Sequence, residues 1–131
     1  MKRLDYNYCH AAPILEWMSH KWALVTLLKI EEMCADDQLA TVRFGDLFRS
    51  IPQISEKMLA STLDYLVQEG LLIRRPYPSV PPRVDYGLTL IAQSFLREIS
   101  YVIEWGQLHF EEIAASRSYG HVPLHNDACR F

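Results

Sequence analysis

Apolar residues recur at helical spacing through the first half of the chain. Pro13 suits the first turn of a helix, so the pattern predicts a short helix over residues 13–19. Residues 21–33 are apolar on nearly every side, which predicts a helix buried at the centre of a domain. A third helix is expected over residues 44–51, where apolar positions follow three or four apart and Pro52 ends the run.

The next apolar pattern has a recognisable start and end. Ser55 offers an N-cap and Gly70 suits the left-handed position that closes a helix, so this helix should extend to about Glu69. Its apolar stripe consists of Leu59, Leu63 and Leu66. Its opposite face is small and polar: Glu56, Lys57, Ala60, Ser61, Asp64 and Gln68. This composition fits close approach to a groove, but a merely solvated face would have the same composition.

Two short apolar runs then flank a proline-rich tip. Residues 71–73 and 84–88 can pair as antiparallel strands, and Val42 can add a short strand beside them. The tip holds Pro76, Pro78, Pro81 and Pro82. Because proline has a fixed φ and no amide proton to donate, we expect the tip to be stiff and to lie outside the sheet. Arginines at both ends of this hairpin make it a candidate wing, which would lie along nucleic acid.

The order of these elements predicts a winged helix–turn–helix, with the helix–turn–helix at 43–69 and the wing at 71–88. The fold class is therefore mainly α with a small β-hairpin (α+β), in one domain over residues 1–131. A last helix over 90–115 has an apolar band too wide for one small domain to cover, so we expect it and the first helix to form a homodimer interface. The expected interface residues are Ile14, Trp17, Tyr101, Trp105 and Leu108. Residues 116–131 should form a tail.

Charge and composition limit the possible functions. The net charge of the chain is −3. Residues 41–86 have a net charge of +1, whereas residues 1–40 and residues 87–131 each have a net charge of −2. Affinity for phosphates must therefore come from the placement of cations rather than from their number. No apolar run is long enough to cross a membrane, because Lys29 interrupts the best one. Three cysteines without framework spacing favour a reduced, cytoplasmic protein.

The sequence offers no motif for catalysis or for metal binding. It has no glycine-rich phosphate loop, pair of carboxylates or activated nucleophile, so we expect no enzyme activity, no catalytic residues and no cofactor. The tail has His121, His125 and Cys129 at four-residue intervals. Pro123 prevents a regular helix there, so a loosely packed tail is preferred over a metal site.

Six short motifs occur in a fixed order between Cys9 and Gly106. They are Lys21-Trp22, twelve residues after Cys9; Arg43-Phe44-x-x-Leu47; Ile51-Pro52-x-Ile54-Ser55-x-Lys57-Met58-Leu59; Leu63-x-x-Leu66-x-x-x-Gly70-Leu71; Tyr77-x-x-Val80-Pro81-Pro82-Arg83-Val84-x-Tyr86-x-Leu88-Thr89; and Trp105-Gly106. In this order and spacing they resemble the HxlR-type winged-helix regulators of bacteria, close to the MarR group. The resemblance implies a transcription factor that binds double-stranded DNA and dimerises through its first and last helices.

The chain departs from this family at several positions. Ser19-His20 replaces two glycines that usually precede Lys21, and the connection before Arg43 is several residues longer. Asp64 stands where the family often has a basic residue, and an acid there would repel phosphate. Together with the negative net charge and the wide apolar last helix, Asp64 supports an alternative function, a winged-helix module for protein interaction with weak or no DNA binding.

The fourth helix should enter the major groove by its N-terminal half. Ser55 can bond a phosphate at the helix start, where the dipole favours anions, and Lys57 can reach a phosphate or a guanine edge. Ser61 can contact a base, and Thr62 can touch a thymine methyl group. Arg43, just before the third helix, is a candidate phosphate clamp, with an ordinary surface cation as the alternative.

On the wing, Arg83 is the main candidate for a minor-groove or phosphate contact, because the Pro81-Pro82 pair holds it outward. Arg74 and Arg75 alternate across the strand, so only one of them is expected to face DNA. We assign that role to Arg75 and expect the other arginine to pair with an acid such as Asp85.

Cys9 is a candidate redox sensor. The resemblance implies this role, since several relatives of this type sense oxidants or electrophiles through the cysteine at this position. Lys2, Arg3 and His10 are near in sequence and could raise the thiolate fraction of Cys9. The alternative is a half-buried thiol at the dimer interface that acts as a small hydrophobe. No residue pattern indicates a small-molecule effector.

Overall fold

The computed structural model describes residues 12–37 and 40–118, and within them the chain forms six helices and three strands. The helices are α1 (Ala12–Ser19), α2 (Lys21–Asp37), α3 (Phe44–Ser50), α4 (Glu56–Gln68), α5 (Leu90–Leu108) and α6 (Phe110–Ser118). The strands are β1 (Val42–Arg43), β2 (Leu72–Tyr77) and β3 (Arg83–Leu88). This order confirms the prediction of a mainly helical winged helix–turn–helix with a small sheet. None of the helices in the described part is long and apolar enough to cross a membrane.

The chain divides into two compact units, Met1–Ala92 and Gln93–Phe131. In the first unit the strands form an antiparallel sheet in the order β1-β3-β2, and Val42 lies opposite Tyr86 as a short strand beside the hairpin, as predicted. Pro76 lies opposite Val84 inside β2, so the prediction that all four prolines lie outside the sheet is wrong. The sheet accepts Pro76 because β2 is an edge strand, where one missing amide proton does not break the ladder.

The core of the first unit is built on α2, which packs against α3, α4 and the sheet. The buried residues of α2 recur at helical spacing: Ala23, Leu27 and Ile30. Those of α4 do the same: Leu59, Leu63 and Leu66. The stripe of α4 confirms the predicted helical face, and α2, predicted as a buried helix over residues 21–33, continues to Asp37. The opposite face of α4, which carries Lys57, Ser61 and Asp64, is left exposed.

Both ends of α4 are closed by hydrogen bonds, as predicted. The Ser55 Oγ accepts a hydrogen bond from the Met58 amide at 3.0 Å, so Ser55 is the N-cap. At the other end Gly70 adopts a φ of +77°, and the Leu71 amide donates to the Leu66 carbonyl at 2.9 Å. This arrangement is a Schellman motif, which requires a left-handed residue at the position of Gly70.

Thr89 joins the end of α4 to the start of α5. Its hydroxyl donates to the Gly70 carbonyl at 2.8 Å and accepts a hydrogen bond from the Ala92 amide at 3.2 Å. One side chain thus caps the first turn of α5 and satisfies a carbonyl that follows α4.

The second unit contains the rest of α5 and all of α6. The two helices are separated by His109 alone, so the single helix predicted over 90–115 is interrupted there. The interruption is slight, because the His109 amide donates to the Trp105 carbonyl at 3.1 Å and the Ile113 amide donates to the His109 carbonyl at 3.0 Å. Several large apolar side chains of this unit are exposed: Tyr101, Val102, Trp105 and Leu108.

Candidate nucleic-acid interface

The exposed face of α4 carries polar residues that were predicted to meet a groove. Lys57, Ser61 and Asp64 are exposed, and their spacing of three or four residues places them along one side of the helix. Lys57 is the one cation of α4, and it is accompanied by the acids Glu56 and Asp64. The helix alone therefore attracts phosphates weakly, and other cations must supply the attraction.

Thr62 does not belong to this face. Its side chain is 1% exposed, because it completes the apolar stripe of α4 with Leu59, Leu63 and Leu66. A thymine methyl group could not reach Thr62 without displacement of α4, so the predicted DNA contact by Thr62 is wrong. The neighbouring Met58 is 42% exposed and is the apolar side chain of α4 that a base could touch.

Ser55 stands at the start of α4 with its side chain exposed. Its Oγ uses a lone pair to accept the hydrogen bond from the Met58 amide and keeps its own proton for donation to another acceptor. A phosphate oxygen at this position would also be stabilised by the positive end of the helix dipole. Ser55 thus combines a structural role with the geometry of a phosphate contact.

Three arginines lie on one face of the sheet, around a single carboxylate. Arg43 of β1 and Arg75 of β2 are both directly opposite Asp85 in the central strand β3. Arg83 is two residues from Asp85 along β3, and residues i and i+2 of a strand point to the same side. We call Arg43, Arg75 and Arg83 the basic sheet face. The structure therefore brings together three predicted cations from three separate segments, whereas Arg74 lies opposite Tyr86 on the other face.

The carboxylate at the centre of the basic sheet face is buried. Asp85 is 2% exposed; its Oδ1 accepts a hydrogen bond from Arg83 Nε at 2.9 Å and its Oδ2 accepts one from Arg83 Nη2 at 3.0 Å. The Thr41 hydroxyl donates to the same Oδ2 at 3.2 Å. The hydrogen bonds from Arg83 are the main reason that the pKa of Asp85 lies below its ordinary value, against burial, which acts to raise it. Asp85 in turn raises the pKa of Arg83.

The sequence predicts that Arg74 pairs with an acid such as Asp85, but Asp85 pairs with Arg83. The Arg83 guanidinium lies over the ring of Tyr77, its cross-strand neighbour, at 5.1 Å from the ring centroid. This position brings its Nε edge to the carboxylate and allows the bidentate geometry that arginine favours. Arg83 is therefore fixed against the sheet rather than projected outward by the Pro81-Pro82 pair.

A cleft of about 290 Å³ opens beside the basic sheet face. It is lined by Arg43, Phe44, Gly45, Pro82, Arg83, Val84 and Tyr86. Because Arg43 and Arg83 both line it, an anion that enters the cleft meets cations from two different segments of the chain. A phosphate of a nucleic-acid backbone has the charge and the acceptor oxygens for such a position.

One residue of this site, Thr41, had no signal in the sequence. Thr41 is separated from Asp85 by 44 positions, and nothing in its own neighbourhood indicates the hydrogen bond between them. The pairing of Arg83 with Asp85 did have a signal, since two residues at i and i+2 in a predicted strand share a face.

The predictions for metal and redox chemistry fall mainly on residues that the structure does not describe. Among residues 12–37 and 40–118, no group of three or more His, Cys, Asp or Glu side chains is placed to hold a metal ion. The tail residues His121, His125 and Cys129, and the candidate sensor Cys9, lie outside the described residues.

Known proteins resemble this chain across the elements that build the site. A sequence model of the HxlR-like helix-turn-helix matches residues 17–114. The HTH-type transcriptional regulator YtfH of Escherichia coli (strain K12) is 35% identical over 109 residues, which cover 83% of this chain and 81% of that protein.

Solved structures show the same architecture. The transcriptional regulator YtfH from Salmonella typhimurium matches with a TM-score of 0.69 at 30% identity, over 90% of this chain and 99% of that chain. The redox regulator HypR in its oxidised form matches with a TM-score of 0.61 at 26% identity, over 76% of this chain and 95% of that chain. The family match spans the helix–turn–helix, the wing and most of the last two helices. The chain therefore belongs to the HxlR-like helix-turn-helix family and is a transcriptional regulator with a helix–turn–helix DNA-binding domain.

Proposed function

We propose that this regulator recognises a specific operator sequence as a homodimer, with α4 in the major groove and the wing on the adjacent backbone or minor groove. The observation that carries the proposal is the basic sheet face, in which neighbouring strands hold three arginines on a chain of net charge −3. Guanidinium groups concentrated in this way are suited to phosphates. In this arrangement Lys57 and Ser61 contact base edges and Ser55 binds a phosphate.

Homodimerisation is proposed through α1 and α5, each of which exposes large apolar side chains. The proposed interface residues are Ile14 and the half-buried Trp17 in α1, and Tyr101, Trp105 and Leu108 in α5. Apolar surface of this kind is stabilised by burial, at roughly 25 cal/mol for each Å² removed from water. A two-fold dimer would present two α4 helices about one DNA turn apart, roughly 34–36 Å, and would read an inverted repeat.

The proposal is tested by selection of bound duplexes from a random pool, followed by gel shifts at several salt concentrations. We expect an inverted repeat to be enriched and its affinity to fall with salt. Lys57→Ala and Arg83→Ala should each weaken binding about tenfold, because each removes a cation at the interface. Lys29→Ala is the matched control, since Lys29 lies on α2 and pairs with Glu32.

The alternative function, a protein-interaction module, gives a different result in the same experiment. Asp64 on the exposed face of α4 and the negative net charge favour it. A stable dimer that binds no duplex, even at low salt, would support the module and contradict the operator-binding proposal.

We also propose that Cys9 makes DNA binding sensitive to oxidants. The similarity to HypR, a redox regulator whose oxidised form has been solved, supports this proposal. Mild peroxide should abolish operator binding by the parent protein and leave Cys9→Ser active. Equal loss of binding by both proteins would exclude Cys9 as the sensor.

A further inference from the structure

We propose that Asp85 is a positioning residue for DNA binding: it fixes the Arg83 guanidinium, and Thr41 in turn orients Asp85. This inference rests on the proposed function and assigns a role to an acid on the surface that meets a polyanion. By charge alone such an acid would weaken DNA binding. The hydrogen bonds around Asp85 indicate the opposite effect.

The guanidinium of Arg83 is held along one edge and across one face. The two bonds from Nε and Nη2 to the carboxylate, at 2.9 and 3.0 Å, define its plane as well as its position. The Tyr77 ring covers one face at 5.1 Å. A long side chain that is ordered before DNA arrives loses less conformational entropy on binding than a free one.

Asp85 leaves most of the donors of Arg83 available. A guanidinium has five N–H groups, of which Asp85 occupies two, so three remain at Nη1 and Nη2. The Arg83 side chain is still 45% exposed and lines the cleft beside the basic sheet face. The Asp85 carboxylate therefore orients the guanidinium and leaves three of its N–H groups free to donate to DNA.

Thr41 connects this pair to the start of the helix–turn–helix. Its hydroxyl donates to the same Oδ2 that accepts from Arg83, and Thr41 immediately precedes β1. Arg43, the last residue of β1, lies directly opposite Asp85. One buried carboxylate thus fixes the wing arginine and is anchored to the strand that carries the second arginine of the cleft.

The substitution Asp85→Asn separates positioning from charge, because the two effects have opposite signs. Loss of a negative charge near phosphate should tighten DNA binding, whereas loss of the charged hydrogen bonds to Arg83 should release the guanidinium and weaken it. We expect the positioning effect to dominate and affinity to fall about tenfold, the size of one strong charged hydrogen bond.

The experiment measures fluorescence anisotropy on a duplex that the parent protein selects from a random pool. We compare Asp85→Asn, Arg83→Ala and the double variant over a series of salt concentrations. Asp85→Asn should weaken binding and lower the salt slope by about one in the parent background. It should have no weakening effect in the Arg83→Ala background, because the favourable effect of Asp85 on DNA binding acts through Arg83.

Failure of the positioning role and failure of operator binding give different results. If Asp85→Asn binds as tightly as the parent, or weakens the Arg83→Ala variant equally, the positioning role is overturned while operator binding stands. A parent protein that binds no duplex overturns operator binding itself. The hydrogen bond between Arg83 and Asp85 can also be measured without DNA. In NMR spectra, the Arg83 Nε–H proton should exchange slowly with solvent in the parent protein and rapidly in Asp85→Asn.

Thr41 provides a conservative comparison. Thr41→Val keeps the shape of the side chain and removes the hydroxyl. It should weaken DNA binding about threefold, less than Asp85→Asn, because Asp85 keeps both hydrogen bonds to Arg83. Thr41→Ser keeps the hydroxyl and should restore affinity. Thermal unfolding of both variants separates this effect from a loss of folded protein, and equal affinity of the two would remove Thr41 from the proposed arrangement.

Discussion

A buried carboxylate among arginines behaves differently from an acid on an open surface. Asp85 stays charged because Arg83 and Thr41 donate hydrogen bonds to it inside the sheet. Removal of one partner leaves a buried charge without compensation, which costs more than the intact pair contributes. The residue therefore matters for the stability of the wing as well as for the orientation of Arg83.

We predict that the contribution of Asp85 to stability is lost in acid. Its pKa in the folded protein lies below the ordinary value of 3.8, so this contribution is present above that pH and disappears as the pH falls through the folded pKa. Asp85→Asn should be less stable than the parent at about pH 7, and the difference should shrink below about pH 4. Thermal midpoints across this range test the prediction, and a difference that is independent of pH would contradict it.

Gly87 is a second residue whose identity is set by its surroundings. A Cβ at this position would lie 2.9 Å from the Ala40 carbonyl oxygen and 3.2 Å from Thr41 Cγ2, so the backbone would have to shift. We predict that Gly87→Ala destabilises the protein by about 1–3 kcal/mol, as overpacked sites do.

The matched control is Gly45→Ala. The nearest atom to a Cβ at Gly45 is Arg49 Nη1 at 3.6 Å, an ordinary contact, and Gly45 lies in α3. This change should be neutral or stabilise by up to about 1 kcal/mol, the helix preference of alanine over glycine. Urea unfolding compares the two variants, and equal losses would show that the close approach at Gly87 is not the cause.

At the scale of elements, α4 and the sheet differ in electrostatic character. Helix α4 carries Lys57 with two acids, whereas the basic sheet face carries three arginines around one acid. Attraction to the DNA backbone is thus assigned mainly to the sheet and wing, and α4 contributes side chains that can read bases.

A substitution at Asp64 tests whether the exposed face of α4 lies close to DNA. We predict that Asp64→Asn strengthens operator binding about threefold, because it removes a negative charge from the helix face that is proposed to meet the groove. Glu32→Gln on α2 removes the same charge outside the helix–turn–helix and wing and should change affinity little. Gel shifts at fixed salt compare them, and equal effects would mean that α4 does not approach phosphate at position 64.

Helices and strands could be predicted from sequence where residues close together along the chain determine them. The Ser55 cap, the left-handed Gly70 and the pairing of the wing strands follow from residues within a few positions of one another. The burial of Thr62 was also decidable, because it completes a helical stripe. The position of Pro76 inside a strand could not be predicted. A strand accepts proline only if it lies at the edge of the sheet, and the order of the strands depends on the tertiary structure.

The cations of the site were predictable from sequence, but their arrangement was not. The three arginines of the basic sheet face stood out as separate candidates. Their common location depends on the register that places Arg43 and Arg75 opposite Asp85. A carboxylate between three cations can pair with any of them, and the contact of Arg83 with Tyr77 selects the partner.

At the scale of the whole molecule, the exposed apolar side chains predict self-association. Leu108 is 75% exposed, so Leu108→Glu should place a charge in the proposed dimer interface and yield monomers. Sedimentation velocity measures the change, and operator affinity should fall because the two half-sites are no longer bound together. Val80→Glu at the fully exposed wing tip is the control and should stay dimeric. A dimeric Leu108→Glu protein would place the interface elsewhere.

The contrast between a negative chain and its basic sheet face has a consequence for how the protein searches a genome. If the basic sheet face is the surface that meets DNA, as proposed, collisions that arrive wing first are favoured over collisions through acidic surface. Binding to unrelated sequence rests on few phosphate contacts and should therefore be short-lived at physiological salt. On the proposed docking, such a regulator would spend little time on unrelated sequence, and its residence at an operator would depend on the bases that α4 contacts.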